Sequence, residues 1–128
     1  WSRTRAYGVN TLAFRLCQND AFYKIDADCV GIISGKIDWS LNRQWLDILS
    51  VSGSPLFISV KPDDITDSMK EDIKKAFFRN SEQKDIAEPL DWLYNNQPQC
   101  WLINGEKREY DFVENSYPEL LSGSTQSY

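Results

Sequence analysis

Residues 36–62 read KIDWSLNRQWLDILSVSGSPLFISVKP, and this stretch decides the fold. Asp38 or Ser40 can cap a helix here. Leu41, Trp45, Ile48 and Leu49 then fall at i, i+4, i+7 and i+8, which is one apolar helix face. Gly53 supplies the C-terminal stop. A short apolar strand, PLFISVKP, follows between Pro55 and Pro62. Pro55 suits a first strand position, where a missing N–H is tolerated.

Working outward toward the start of the chain, Ala21 to Ile33 is rich in Phe, Tyr, Ile and Val. It predicts a second strand, short and buried on both faces. Before it, Val9, Leu12, Ala13 and Leu16 line one helix face, at i, i+3, i+4 and i+7. Gly8 weakens that helix, since glycine costs ~1 kcal/mol relative to alanine in a helix interior. Toward the other end, DDITDSMKEDIKKAFFRN begins with acids and ends with Lys74, Lys75 and Arg79. That polarity suits a helix macrodipole, and Ile73, Ala76 and Phe77 mark the predicted buried face. The order is helix, strand, helix, strand, helix. It predicts an α/β fold with parallel strands joined by helical crossovers. Two strands leave faces and edges uncovered. Further strands are expected from a longer chain or from another copy.

After residue 80 the texture changes. SEQKDIAEPLDWLYNNQPQ has no clean period and reads as a connector. CWLINGEKREYDF gives two strand-like runs around Asn104-Gly105, the strongest short signal for a type I′ hairpin. The polar tail ENSYPELLSGSTQSY is expected to fray. The predicted division is therefore 1–84 for the α/β part. Residues 85–128 hold the connector, the first strands of a short antiparallel β segment, and the tail.

Composition removes several function classes. The 128 residues carry 14 basic and 19 acidic side chains, a net charge of −5. A nucleic-acid phosphate binder would want a basic stripe. Lys74-Lys75 and Lys107-Arg108 are flanked by acids and read as solvated surface. No apolar run approaches the ~18 residues of a membrane span. Histidine is absent, which removes Ser-His-Asp and Cys-His triads and the commonest zinc ligand. Cys17, Cys29 and Cys100 form no CxxC pattern, so no zinc site is expected. Cys17 and Cys29 sit in apolar stretches and are expected to be buried free thiols. No metal or cofactor is expected. The chain opens on Trp1, with no basic-then-apolar leader. It therefore reads as an internal or C-terminal piece of something longer, or a processed product.

The candidate chemistry lies in FYKIDADCVGI, residues 22–32, where Asp26 and Asp28 stand at i and i+2. On a strand that spacing puts both carboxylates on one side, with Cα atoms ~6.5 Å apart. At the carboxyl end of a parallel strand they would sit where α/β folds collect ligands. A catalytic pair, a metal site and a polar strand end all stay open on spacing alone. Asp63-Asp64 could add oxygen ligands, or could simply complement the helix that follows. Ser59 has no histidine to activate it, but could hydrogen-bond a ligand from a strand end. Trp39, Trp45, Trp92 and Trp101 could stack on sugar faces if exposed. Trp45 lies on the apolar helix stripe and is expected in the core. Trp92 and Trp101 are expected to pack the connector.

The ordered series YKIDADCVGI, SVSGSPLFISVKPDDI and EPLDWLYNNQPQCWLINGEKREYDF resembles glycoside hydrolase clan D, closest to alpha-galactosidase families 27 and 36. Members carry a (β/α)8 barrel followed by an antiparallel β-domain. Ile25-Asp26-Ala27-Asp28 stands in place of an NDPD-like strand end, with Ala27 replacing the family's proline. Ser52 to Ser59 stands in place of the next barrel strand, with Val60 where the family has an acid. Pro89-Leu90-Asp91-Trp92 resembles the lead-in to the β-domain. The resemblance implies a partial (β/α) barrel fragment, the last units of the barrel and the start of the β-domain. It also implies that the nucleophile and the acid/base aspartate lie upstream of Trp1. Asp26, Asp28 and Ser59 then become substrate-binding residues at the barrel mouth, and the chain alone is expected to be inactive. The implied partners are a mono- or oligosaccharide, through the parent enzyme, and the rest of the barrel or a second copy. The competing expectation is a non-catalytic carbohydrate-binding or protein-interaction module, motivated by the tryptophans.

Overall fold

A computed structural model describes residues 1–27, 29–33, 35–82 and 86–112. The chain begins with a π-helical segment, Thr4–Val9, that runs into α1 (Asn10–Arg15) and a 3-10 turn at Leu16–Gln18. Strand β1 (Val30–Ile32), helix α2 (Trp39–Val51), strand β2 (Ile58–Val60) and helix α3 (Asp67–Glu82) follow. Then come β3 (Glu88–Pro89), β4 (Cys100–Ile103) and β5 (Glu106–Glu109). The predicted order of helices and strands is present. The described strands form two small sheets, parallel β1-β2 and antiparallel β3-β4-β5, and neither closes into a barrel.

Helix α2 forms where its sequence directs. The Asp38 carboxylate accepts the Ser40 N–H at 2.8 Å and caps the first turn. Gly53, at φ 81°, follows the Ser52 C-cap in the left-handed region that glycine tolerates best. Trp45, Leu46, Ile48 and Leu49 are buried. Helix α3 is capped by Thr66, whose Oγ1 accepts the Met69 N–H at 3.3 Å. Its buried face is narrower than predicted. Ala76 is fully buried and Ile73 packs on the core, but Phe77 is half exposed.

Asp63 and Asp64 lie in a 3-10 turn, Pro62–Asp64, ahead of α3. At the hairpin, Asn104 (φ 51°) and Gly105 (φ 80°) both take positive φ, as a type I′ turn requires. β4 and β5 pair in register through Ile103↔Glu106 to Cys100↔Glu109.

The main departure is the strand predicted over 21–33. Among the described residues of this stretch only Val30–Ile32 form a strand, Tyr23 makes an isolated bridge with Asn19, and Phe22 and Tyr23 are exposed. A strand needs a neighbour of matching length, and β2 offers three residues. Pro55 accordingly lies ahead of β2 and does not open it.

One apolar cluster joins all parts of the described chain. Val9 and Leu12 come from the first helical segment, Val30 and Ile32 from β1, and Trp45 from α2. Trp101, Ile103 and Phe112 come from the antiparallel segment. Gly8 explains itself here, because a Cβ at that position would lie 2.8 Å from the Trp45 ring. The glycine that weakens helix propensity lets the indole close onto the first helical segment. Buried Arg5 adds polar ties, donating from Nε to the Phe112 carbonyl and from Nη2 to the Gln97 side chain.

Candidate functional site

β1 and β2 run parallel, with Val30↔Ile58, Gly31↔Ser59 and Ile32↔Val60 as register partners. Val30 and Ile32 are buried, while Gly31 and Ser59 turn to the opposite, open side. A Cβ at Gly31 would meet nothing within 4 Å, and Ser59 is exposed. This open face is flanked by half-exposed Ile33 and Phe57.

The structure separates the predicted site residues. Asp26 is exposed between buried Ile25 and Ala27, but it precedes β1 and does not close it. Its expected place at the carboxyl end of a strand is therefore corrected: the paired strand starts at Val30, downstream of both aspartates. Asp28 lies outside the described residues. Ser59 sits in the middle of β2, on the open face. No described hydrogen bond brings Asp26 and Ser59 together.

The carboxyl ends of β1 and β2 hold a crevice of about 460 Å³ instead. It is lined by Ile32, Lys36, Asp38, Trp39, Asn42 and Asp64, among others. This is the end of a parallel sheet where α/β folds bind ligands. Asp38 is engaged in capping α2, and the Trp39 indole N–H donates to Asp72 Oδ2 at 3.1 Å. Lys36 and Asp64 supply charge at the rim. Such a lining can hydrogen-bond a small polar molecule. Among the described residues no three His, Cys, Asp or Glu side chains gather as a metal site. A larger groove, about 710 Å³, runs between α2 and α3. It lies away from the strand ends, and its Arg79 and Asp47 are paired with each other.

One electrostatic node is not legible in the sequence. Asp47 of α2 accepts from Arg79 of α3, from Arg108 Nη1 of β5 at 3.2 Å and from Tyr110 Oη at 2.7 Å. Burial pushes the Tyr110 phenol far above its ordinary value of 10.0, and the neighbouring Asp47 charge adds to the rise. Arg108, expected as solvated surface, is thus half buried and paired. Lys107 stays on the surface, where its hydrogen bond to Glu109 holds its pKa above the usual lysine value. This node fastens the antiparallel segment to the helices, and its Asp47 and Arg79 also line the groove between α2 and α3. Asp91 plays a similar part, accepting the Gln99 and Cys100 N–H groups at 3.2 and 3.1 Å. Only the aspartate type is visible in the sequence; the partners arrive from far along the chain.

The tryptophans divide. Trp45 and Trp101 are buried and Trp39 packs against the core. Trp92, expected to pack the connector, is half exposed with Phe14 edge-on at 6.2 Å. Cys17, expected in the core, is exposed, and Cys29 is half buried. No described helix is long and apolar enough to cross a membrane. Compared with family models, curated proteins and solved structures, the chain matches none.

Proposed function

We propose that this chain is a section of a carbohydrate-active, retaining glycosidase of the alpha-galactosidase type. It would contribute ligand-facing residues and no catalytic carboxylate. The observation that supports this reading is the parallel β1–α2–β2 unit, with α3 after it and an antiparallel segment behind. That is the order expected of the last units of a (β/α)8 barrel running into a β-domain. The open face bearing Gly31 and Ser59 would correspond to the interior of such a barrel. In the parent, one aspartate would attack the anomeric carbon and a second would protonate the leaving oxygen, both from upstream segments. Exposed Asp26, and Asp28 near it in sequence, would orient sugar hydroxyls or tune the acid/base group through charge.

The chain alone is expected to give no turnover of an aryl alpha-galactoside, and measurable hydrolysis would overturn the assignment of catalysis to upstream residues. Addition of a polypeptide carrying the upstream barrel units is expected to restore turnover, which Asp26→Asn then reduces. A second reading, a non-catalytic carbohydrate-binding module, is favoured by exposed Trp92 and its Phe14 brace. Calorimetry with a sugar panel separates the two. Binding that survives Asp26→Asn and Asp28→Asn but is lost in Trp92→Ala supports the module.

A further inference from the structure

Helices α2 and α3 leave between them the groove of about 710 Å³, a volume within the range that takes a small organic ligand. Its charge runs against that of the molecule. The lining carries Arg43, Lys74, Lys75 and Arg79 against Asp47, Glu71 and Asp72. Two of these acids are already committed. Asp72 faces Arg43 Nε at 3.4 Å and accepts the Trp39 indole N–H at 3.1 Å. Asp47 is shared by two guanidiniums, Arg79 and Arg108, and one carboxylate neutralises only one of them. Lys74 and Lys75 are exposed, and no described ion pair joins either of them to Glu71. A local excess of positive charge thus faces the groove, in a chain whose net charge is −5.

Arg79 gives that excess a direction. Its Nη1 donates to Asp47. A guanidinium can also donate in parallel from Nε and Nη2, an edge to which Nη1 does not belong. On Arg79 this second edge makes no described hydrogen bond, and Nε is buried without a partner. A buried donor left unpaired is costly, and a planar oxyanion is the acceptor that matches this edge. Phe78, the preceding residue, lines the groove too and is 68 % exposed. It offers an aromatic surface next to the charged end.

We propose that this groove binds a small organic oxyanion, a carboxylate or phosphate attached to an aromatic body. The free edge of Arg79 holds two of its oxygens. Lys74 and Lys75 close on the charge from the rim, and the aromatic body packs on Phe78. The inference does not rest on the glycosidase reading, because the groove lies away from the strand ends and binding is measured without hydrolysis.

Calorimetry on the full chain at low ionic strength tests it, with phenyl phosphate as the probe. Saturable one-to-one binding is expected, weakening as salt rises. Benzoate is expected to compete for the same site. Inorganic phosphate lacks the ring and is expected to bind at least about tenfold more weakly. Arg79→Lys keeps a charge beside Asp47 but removes the Nε–Nη2 edge. It is expected to weaken phenyl phosphate at least about tenfold. Lys74→Gln with Lys75→Gln changes exposed side chains only. That double variant is expected to keep its melting transition while its binding loses most of the salt dependence. Absence of saturable phenyl phosphate binding up to millimolar concentration overturns the proposal. So does binding that both variants retain at parental affinity, that inorganic phosphate matches, or that benzoate leaves unchanged.

Discussion

The two sheets of this molecule treat their edges in opposite ways. Among the described strands, the antiparallel sheet ends on one side in β3, two residues long and closed by Pro89, which has no N–H to offer. On the other side it ends in β5, whose Glu106, Lys107, Arg108 and Glu109 are all charged. Short edges, proline and charge are the usual protections against pairing with another chain. The parallel pair has neither proline nor charge on β2. On the outer side of β1, α2 side chains donate to the Gly31 and Cys29 carbonyls. Among the described strands, the borders of one sheet carry these protections and the β2 border of the other does not. The difference teaches that the small size of a sheet says less about completeness than the chemistry of its borders.

The largest test of the contrast concerns the finished sheet. Trp101 is fully buried, and its indole N–H donates to Pro98 O at 2.8 Å. Trp101→Ala is expected to cost about 3–5 kcal/mol in urea unfolding. A loss below about 1.5 kcal/mol would show that the antiparallel segment does not share the core.

The next test lies on the side of the parallel pair. Helix propensity alone makes Gly8→Ala stabilising by ~1 kcal/mol. The Trp45 ring, 2.8 Å from where the new methyl group would stand, reverses the sign. Overpacking there is expected to destabilise by about 1–3 kcal/mol, read from the same unfolding curves. A more stable variant would mean that the first helical segment and α2 are not held together as described.

The Asp47 node joins the two regions, and pH probes it. Tyr110 has its pKa raised on folding, so the folded state holds the phenolic proton more tightly than the unfolded state. Its contribution is fully present below the ordinary value of 10.0, and it is lost as pH rises above that value. Stability should fall by up to about 1.4 kcal/mol per pH unit there. Tyr110→Phe is expected to remove that increment of alkaline sensitivity while leaving the neutral-pH fold intact. Equal slopes for the two proteins above the ordinary phenol pKa would place Tyr110 outside the node.

The legible parts of the fold are those settled over a few residues. Asp38, the Leu41–Trp45–Ile48–Leu49 stripe and Gly53 specify α2 within one segment. Asn104-Gly105 specifies its turn by itself. The strand predicted over 21–33 shrinks to three residues because strand length is set by the partner, and β2 pairs with no more. The same non-local dependence hides the Asp47 node, whose partners lie at 79, 108 and 110. It also hides the tie between α2 and β1, since nothing in the sequence of α2 announces that Asn42 reaches the Gly31 carbonyl. The candidate site suffers most. Asp26 is legible as an exposed carboxylate, but its position relative to the strand is not.

The smallest expected effect on stability tests the meaning of the edges most directly. Lys107 and Glu109 pair across the surface of β5 at 2.8 Å, both side chains largely exposed. Solvent and salt screen such pairs, so they contribute little to folding. Replacing both, as Lys107→Thr with Glu109→Thr, keeps β propensity and should leave the urea midpoint almost unmoved. If charge is what closes this border, the double variant should gain concentration-dependent association through β5. If the double variant associates no more than the parent chain, charge is not the guard on β5. The protection of the antiparallel sheet would then rest on β3, through its two-residue length and Pro89.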